Sequence, residues 1–329
     1  DNPYITFENN YIETLWWILS TLYKKGYLYQ SVSIQPYSPA AGTGLSSHEL
    51  NQPGTYKDVK DTSVVAMFKA IPSKESQFIF DAAATNPLSK DVFYMAWTTT
   101  PWTLPSNLGL TVGPNIEYAL IATYNPYTAL PVNVVVAKAL VSKYFKEEGL
   151  SLTSFAEGDK IVPWKELATF KGSQLDGLRY EQLMPFEANN PANIEGDPFK
   201  IILGDFVTTE DGTGIVHTSP AFGADDYKVG QKNNLGIITL VDREGKFIDG
   251  VGEFAGRFVK NYKDEKDFQD VNVDISVKLK KENRAFKVEK YEHNYPHCWR
   301  TDKPILYYPL DAWFIKTTAV KDRMVELNK

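Results

Sequence analysis

The stretch Asp91-Val-Phe-Tyr-Met-Ala-Trp97-Thr98-Thr99-Thr100-Pro101-Trp102-Thr103-Leu104-Pro105-Ser106-Asn107 decides the fold of this chain. Its first seven residues form an apolar run typical of a buried strand. Two prolines four residues apart then exclude a regular helix and a central strand. We therefore predict that the chain leaves a sheet here as a stiff, extended loop, whose hydroxyls and amide can bind a ribose, a base or a water. The alternative is a threonine-rich edge strand followed by an ordinary connection.

A second stretch, Asp211-Gly-Thr-Gly-Ile-Val-His217-Thr-Ser-Pro-Ala-Phe-Gly-Ala-Asp225-Asp226-Tyr227, has a different pattern. Asp-Gly is a hairpin signal, and the two β-branched residues after it predict a short buried strand that ends at His217. A helix should then begin at Asp225. Carboxylates in a first turn are favoured by the helix dipole, so a simple capping role is the alternative for this pair. Otherwise the imidazole and a carboxylate should share one crevice.

Together the two stretches closely resemble the editing domain of class I isoleucyl-tRNA synthetases, which is inserted into their catalytic domain. WTTTPWTLPSN (97–107) resembles the threonine-rich editing motif of that family, and GTGIVHTSPAFGADDY (212–227) resembles its second editing motif. The valyl and leucyl relatives carry a TTRP-type version of the first motif, so the sequence points to the isoleucyl branch. The resemblance covers most of the chain, including both ends.

The resemblance implies a role for each matching residue. Asp226 matches the anchor of the substrate's α-ammonium group, which leaves Asp225 as a helix cap, and His217 matches the residue that faces the substrate side chain. The threonines match those around the terminal adenosine and the scissile ester, while the asparagine would hold a water or the loop. Trp102 is expected to support the loop or the core. The candidate catalytic residues are Asp226, Thr103, His217 and Asn107, and the candidate substrate-binding residues are Thr98, Thr99, Thr100, Asp226 and His217.

The implied reaction is hydrolysis of valyl-tRNA(Ile), with valyl-adenylate as a further candidate substrate. A hydrophobic pocket rejects a substrate one methylene smaller only weakly, so a second site hydrolyses what is small enough to enter; isoleucyl-tRNA synthetase is itself the standard example. The implied partners are the 3′ acceptor end of tRNA(Ile) carrying valine and the catalytic domain of the same synthetase. Two alternatives remain: a non-catalytic module that binds the tRNA acceptor end, and a structural insertion whose editing has decayed.

Composition limits these possibilities. The chain has 329 residues, a net charge of −6 and a pI near 5.4, which is not the electrostatic footprint of a protein that grips nucleic acid by itself. A single cysteine, Cys298, excludes a disulfide framework and fits a reducing, cytoplasmic location. No apolar run is long enough to span a membrane. The chain begins at Asp1 without a methionine or a targeting signal, so we expect a piece of a longer protein.

Several chemistries have no sequence support. The chain lacks HIGH-type and KMSKS-type sequences, a P-loop and a GxGxxG motif, so it should neither bind ATP nor activate an amino acid. It also lacks a serine nucleophile elbow and an HExxH motif, so hydrolysis must use a water held by hydrogen bonds. No cofactor is expected.

A structural metal is also not expected. Many bacterial relatives carry a CxxC zinc half-site where Ser38 and Ala41 stand here, and only Cys298 remains of the matching second half-site. One thiol near His293 and His297 is a weak set for a metal that needs about four N or S ligands. Together with the long insertions, the missing zinc cysteines predict a eukaryotic cytosolic enzyme.

Predicted strands outnumber predicted helices. The sequence indicates an α+β, mainly β fold: a β-barrel-like editing domain over 62–290 with peripheral helices. Residues 1–61 and 291–329 are expected to form two junctions with the catalytic domain that lie close together. Helices are predicted at 11–25, 138–148, 263–282 and 316–329, and residues 151–192 are expected to be largely irregular.

Overall fold

The computed structural model describes residues 3–156 and 158–329. The fold is α+β and mainly β, as predicted. The helices are α1 (Asn9–Lys24), α2 (Ser47–Leu50), α3 (Gln77–Ala83), α4 (Val141–Tyr144), α5 (Ala224–Lys232), α6 (Val271–Lys281) and α7 (Lys321–Leu327). The strands are β1 (Leu28–Ser38), β2 (Thr43–Gly44), β3 (Tyr56–Lys69), β4 (Val92–Thr98), β5 (Gly109–Val112), β6 (Glu117–Tyr124), β7 (Pro131–Ala137), β8 (Trp164–Lys171), β9 (Lys200–Leu203), β10 (Ile215–Thr218), β11 (Ala285–Pro296) and β12 (Leu306–Ile315).

The chain divides into two compact units, one of residues 3–34 and 309–329 and the other of residues 35–308. The smaller unit therefore contains both ends of the chain, including α1 and α7. Within it the backbone N–H of Lys316 donates to the carbonyl of Tyr27 over 2.8 Å, and the rings of Tyr29 and Phe314 stack at 5.7 Å. The boundaries predicted at 61/62 and 290/291 fall inside β3 and β11, which pair with each other over their whole shared length.

The larger unit is built around β4. This apolar strand pairs antiparallel with β3 on one side. On its other side, the first half of β4 runs parallel to β7, while its end runs parallel to β10 at Trp97. β10 continues the sheet through β5 to β9, and β7 continues it through β6 to β8. One buried strand thus has three neighbours, which explains its nearly uninterrupted run of apolar residues.

A short segment closes part of this sheet into a barrel. Residues 177–181 bond to β9 on one side, where the N–H of Ile201 donates to the carbonyl of Leu178 over 2.8 Å. On the other side, the N–H of Ile71, just after β3, donates to the carbonyl of Arg179 over 2.9 Å. The ring of β3, β4, β10, β5, β9 and this segment is the predicted barrel-like feature, and its interior belongs to the main apolar core.

Some predicted elements differ from the structure. The helix predicted at 263–282 begins only at Val271, because Asp270 caps it by accepting from the Asn272 N–H over 3.0 Å. The helix predicted at 138–148 is broken into α4 and short 3₁₀ turns. β8 lies inside 151–192, which was expected to be irregular; it pairs with β6 along its length, a partner that local patterning does not reveal.

Candidate functional site

The two motifs meet at one edge of the sheet. β4 and β10 run parallel, with Trp97 opposite Val216, so both strands deliver their carboxyl ends to the same side. The threonine run follows β4 directly, and His217 is the third residue of the four-residue β10. Ligand sites in sheets commonly form just beyond the carboxyl ends of neighbouring parallel strands.

The segment after β4 is not the extended loop that we predicted. Pro101–Ser106 forms a 3₁₀ helix, with the N–H of Thr103 donating to the carbonyl of Thr100 over 2.9 Å and that of Asn107 to Leu104 over 3.0 Å. The prolines exclude a longer α-helix but allow this turn, because Pro101 occupies the first position, where its missing N–H is not needed. The structure therefore buries the segment instead of extending it.

Three threonine hydroxyls form a local network. Thr98 Oγ1 accepts from the Thr100 N–H over 3.0 Å and lies 3.1 Å from Thr100 Oγ1. Thr103 donates its hydroxyl to the carbonyl of Thr100 over 2.8 Å. These bonds fix the hydroxyls relative to the backbone before any ligand is present, so the site is preorganised.

His217 is held from both sides of its ring. Its Nε2 lies 2.9 Å from Thr103 Oγ1, and its Nδ1 lies 2.8 Å from Asn107 Nδ2. Burial lowers the pKa of His217 from 6.5 to about 3, so the imidazole is neutral near pH 7. Because protein groups occupy both nitrogens, the geometry fits a wall and a support better than a general base.

Asn107 connects this pair to a residue that the sequence analysis missed. Its Nδ2 also donates to the carbonyl of Gly109 over 2.8 Å, and its Oδ1 accepts from the Tyr180 hydroxyl over 2.8 Å. Tyr180 lies on the segment that closes the barrel and is 1% exposed. Nothing in the sequence around it distinguishes it from any other core tyrosine, so only the tertiary structure reveals this contact.

Asp226 occupies the first turn of α5. Its Oδ2 accepts from the backbone N–H of Ser219 over 2.8 Å, two residues beyond His217. Although the residue is partly exposed, burial of the carboxylate raises its pKa from 3.8 to about 6; the Ser219 bond opposes that rise and the charge of Asp225 adds to it. Neither of the two neighbours that shift this pKa, Ser219 and Asp225, is a cation.

Asp225 does not cap α5, contrary to our expectation. The N-cap is Gly223 and has no side-chain capping bond. The carboxylate of Asp225 is 72% exposed and pairs with Lys228 at 3.1 Å. Trp102, by contrast, is buried against the ring of Phe222 at 4.8 Å, which is the supporting position that we expected for it.

A cavity opens beside the threonine run. Its volume is about 420 Å³, and His217 forms part of its wall together with Trp97, Thr98 and Thr99. Most of its other lining residues belong to the loop between β9 and β10; this loop is not the hairpin that Asp211-Gly212 predicted, because β5 lies between the two strands. The larger cavity of about 450 Å³ lies elsewhere, between the end of α3 and β8, and touches none of the candidate residues. Volume alone therefore does not identify the site, whereas the chemistry of the lining does.

The positions aligned with zinc half-sites do come together. Cys298 is buried with Ala41 at its side, and the hydroxyls of Thr301 and Ser38 face its sulfur. Burial raises the pKa of this thiol, but those hydroxyls and two backbone N–H groups outweigh burial and lower the pKa below 9.0. Within residues 3–156 and 158–329, no group of three or more His, Cys, Asp or Glu side chains is suited to hold a metal ion.

Comparisons with known proteins agree on a family. The family described as tRNA synthetases class I (I, L, M and V) matches residues 1–329. An isoleucine–tRNA ligase of Cytophaga hutchinsonii is 54% identical over 355 residues, covering 100% of this chain and 30% of the relative. One of Thermoplasma acidophilum is 41% identical over 329 residues, covering 100% and 27%. The chain thus spans less than a third of the length of these curated relatives.

A solved structure also aligns, more weakly. The P. knowlesi cytosolic leucyl-tRNA synthetase editing domain matches with a TM-score of 0.45 and 12% identity, covering 71% of this chain and 98% of that one, which is too little for any argument here. Bacterial relatives dominate the sequence matches, so our expectation of a eukaryotic source has no support. None of the helices in the described part of the chain is long and apolar enough to cross a membrane.

Proposed function

This chain belongs to the class I tRNA synthetase family, and from that premise we propose that it is the editing domain of an isoleucyl-tRNA synthetase and hydrolyses valyl-tRNA(Ile). The reaction adds water across the ester between valine and the terminal ribose and releases valine and free tRNA. Valyl-adenylate, an anhydride of the same amino acid, is a second substrate of the same chemical kind. Neither reaction needs ATP or a metal-binding motif from this segment.

One observation carries the proposal. Two motifs that are more than 100 residues apart converge at one sheet edge, and the Thr103–His217 hydrogen bond of 2.9 Å joins them. A purely structural insertion would have no need to place threonine hydroxyls and a neutral imidazole from two distant motifs beside one open cavity. Asp226 does not line this cavity, but its carboxylate is bonded to Ser219, two residues beyond His217. A pocket with a few convergent polar groups and perturbed pKa values favours a ligand site.

Asp226 is the proposed anchor of the substrate's α-ammonium. The carboxylate already accepts one backbone N–H, from Ser219, and its raised pKa reports an environment that lacks a compensating cation. A bound ammonium would supply that cation, lower the pKa and keep the carboxylate ionised. The anchor would hold the aminoacyl group at a fixed distance from the threonine run and thereby orient the ester for attack.

The remaining roles are proposed from the cavity lining. Thr98 and Thr99 line the cavity and are placed to contact the ribose or the attacking water, and Thr100 and Thr103 hold the turn behind them. His217 forms part of the wall that meets the substrate side chain. Asn107 supports His217 from behind, because both hydrogens of its amide are used within the protein.

The test uses the complete synthetase and preformed valyl-tRNA(Ile). Asp226→Ala should abolish deacylation, because removing the partner of a desolvated ammonium costs on the order of 2–5 kcal/mol of substrate binding. Asp225→Ala is the matched control, since this neighbouring carboxylate faces Lys228 in solvent. If Asp226→Ala retained native hydrolysis, the assignment would be lost. Binding of tRNA without hydrolysis by the native protein would favour the non-catalytic module instead.

The catalytic domain of the same synthetase is the proposed partner of the smaller unit. In the described residues, α1 has no buried side chain, and its neighbouring Trp16 and Trp17 are 67% and 68% exposed. Trp313 and Leu327 of the same unit are also exposed. Apolar exposure on this scale is typical of a surface that another domain covers.

A further inference from the structure

In the described part of the chain the side chain of Tyr180 makes one hydrogen bond, and that bond leads into the candidate site. Its ring is fully buried on the barrel-closing segment, and its hydroxyl donates to Asn107 Oδ1 over 2.8 Å. Burial raises the pKa of Tyr180 well above 10.0, so the hydroxyl keeps its proton and acts as a donor. A buried tyrosine usually satisfies its hydroxyl with whatever acceptor is near, but here the acceptor is a residue of the threonine-rich motif.

This bond and a backbone carbonyl fix which way the Asn107 amide faces. Its nitrogen lies 2.8 Å from the carbonyl oxygen of Gly109, and its oxygen lies 2.8 Å from the Tyr180 hydroxyl. If the oxygen and the nitrogen of the Asn107 amide exchanged places, the amide oxygen would face the carbonyl oxygen of Gly109, and two acceptors cannot form a hydrogen bond. The nitrogen end must therefore also face His217 Nδ1, at 2.8 Å.

The amide orientation determines the tautomer of His217. An amide nitrogen can only donate, so Nδ1 must be the unprotonated nitrogen of the neutral ring. The proton then sits on Nε2 and is donated to Thr103 Oγ1 over 2.9 Å. Thr103 in turn uses its own hydroxyl proton on the carbonyl of Thr100, over 2.8 Å. Every bond in this series has one donor and one acceptor, and all run in the same direction.

We propose that Tyr180 is a positioning residue for the proposed hydrolysis: through Asn107 it holds His217 as the Nε2–H tautomer and thereby fixes Thr103 and the 3₁₀ turn that follows the substrate-facing Thr98 and Thr99. This inference rests on the proposed function for its effect on the reaction, but the tautomer itself is a property of the chain. The Tyr180 hydroxyl bonds to Asn107, which is not among the residues that line the cavity. It acts from the far side of the barrel ring, on the segment that completes that ring.

The first experiment reads the tautomer without any substrate. The chain has only four histidines, so ¹⁵N labelling of histidine gives few signals, and the one lost in His217→Gln belongs to His217. We expect a neutral ring with its proton on Nε2 that does not titrate between pH 5 and 8. In Tyr180→Phe the amide loses one of the contacts that orient it, and the single tautomer should give way to a mixture or to a protonated ring.

Tyr94→Phe is the matched control. Tyr94 is also fully buried, on β4, and its hydroxyl has no hydrogen-bond partner in the described part of the chain. Tyr94→Phe removes one buried hydroxyl from the core, as Tyr180→Phe does, but leaves the hydrogen bonds from Tyr180 through Asn107 to His217 intact. The His217 signals of Tyr94→Phe should match those of the native chain.

The second experiment measures valyl-tRNA(Ile) deacylation in the complete synthetase. Tyr180→Phe should lower kcat roughly 10-fold or more with little change in KM, because a misplaced turn loses attack geometry rather than binding. Tyr94→Phe should change neither. If the native synthetase does not deacylate at all, the proposed function fails, while the tautomer measurement still judges the positioning.

Other outcomes would overturn the inference. If the tautomer of His217 is unchanged in Tyr180→Phe, the inference is refuted whatever the activity of the variant. If the tautomer changes but kcat equals that of Tyr94→Phe, Tyr180 has no role in hydrolysis. If Tyr180→Phe does not fold, Asn107→Asp takes its place: its side chain offers His217 an acceptor instead of a donor, so the proton must move to Nδ1. A ring that stays in the Nε2–H form in that variant would also refute the inference.

Discussion

At the residue scale, the ionised carboxylate of Asp226 destabilises the fold at neutral pH, although it is the residue proposed to bind the substrate. Its pKa is 3.8 in the unfolded chain and about 6 in the fold, so the folded state binds the proton more tightly. Stability therefore falls as pH rises from about 4 to about 6 and stays low above that. At 1.36 kcal/mol for each pH unit, with a discount for partial exposure, the ionised carboxylate costs about 1–3 kcal/mol at pH 7. A residue kept at such a cost is expected where a cationic ligand binds.

Asp226→Asn should therefore stabilise the chain by about 1–3 kcal/mol at pH 7, because the amide carries no charge and still accepts from Ser219. The gain should vanish below about pH 3, where Asp226 is protonated in both the unfolded and the folded state. Urea unfolding at the two pH values measures this, and valyl-tRNA(Ile) deacylation should be lost in the same variant. The carboxylate of Asp225 is exposed, so the free energy of unfolding of Asp225→Asn should stay within about 0.5 kcal/mol of the native value at both pH values. A neutral or destabilising Asp226→Asn at pH 7 would contradict the prediction.

His217 is predicted to limit the size of the side chain that enters. One methylene contributes only about 0.8 kcal/mol of apolar contact, so attraction cannot exclude isoleucine and rejection must be steric. Overpacking costs roughly 1–3 kcal/mol. His217→Ala should then raise the ratio of isoleucyl-tRNA(Ile) to valyl-tRNA(Ile) deacylation by about 5-fold or more.

Both deacylation rates should fall in this variant, because Thr103 and Asn107 lose their partner, and only the ratio reports on the wall. The measurement compares the two preformed substrates in the complete synthetase. If both rates fall by the same factor, the side chains that limit the size of the substrate are assigned instead to Thr99, Thr100 and Thr103, and His217 is a supporting residue.

Sequence reasoning at this scale succeeds where chemistry is concentrated in short motifs. The residues of 97–107 and 212–227 mark both stretches as candidate site segments, and the Thr103–His217 bond joins them. The crevice expected for His217 and a carboxylate of the second stretch stays a prediction. It fails for Tyr180, because its partner Asn107 lies 73 positions away and neither flanking sequence signals the contact. It also assigned Asp225 to a cap, although Gly223 takes that position and the carboxylate finds Lys228 in solvent.

At the element scale, the approach to β10 controls where His217 stands. Gly214 precedes β10 with φ of +73°, and a Cβ there would lie 2.4 Å from the Cβ of Ala137 at the end of β7. Its carbonyl also accepts from the Tyr118 hydroxyl over 2.7 Å. The residue therefore needs both the left-handed conformation and the empty space, which glycine alone provides.

Gly214→Ala should lower the free energy of unfolding by roughly 2–5 kcal/mol, about 1–2 from the backbone and the rest from overpacking against β7. Gly256→Ala is the matched control: its φ is +74°, but no atom lies within 4 Å of the added Cβ, so only the backbone cost applies. Chemical unfolding measures both, and deacylation should fall in the Gly214 variant as β10 shifts. Equal losses in the two variants would mean that β7 does not constrain β10.

The elements also show why local patterns were insufficient. Asp91–Trp97 was predicted as a strand and β4 spans Val92–Thr98, because its apolar run is long and its partners lie on both sides. The prolines after it exclude a regular helix, and we therefore predicted an extended loop, but a 3₁₀ turn, which bonds i to i+3, accommodates both prolines. β8 was missed because its alternation is imperfect and its register with β6 shifts at Leu120 and Ile121.

At the scale of the whole molecule, apolar burial is concentrated in one unit. All three clusters of buried apolar residues found in the described chain lie between Leu45 and Leu306, inside the unit 35–308. That unit also contains the closed strand ring and every candidate site residue. By contrast, no residue of α1 or α7 is buried. A unit with its own core and closed hydrogen bonding has what independent folding requires.

A fragment of residues 35–308 is therefore predicted to fold alone. It should unfold in one cooperative urea transition, within about 1 kcal/mol of the main transition of the 329-residue chain, because the core and the barrel closure through Tyr180 are retained. The fragment should also be less prone to associate, since it loses Trp16, Trp17 and Trp313 from the surface. The control is the same fragment with Leu175→Ala, a fully buried core residue, which should lose about 2–5 kcal/mol as it would in the full chain. A broad, non-cooperative transition in the fragment would show that residues 3–34 and 309–329 are needed to complete the core, and the folding unit that carries the candidate site would then have to include them.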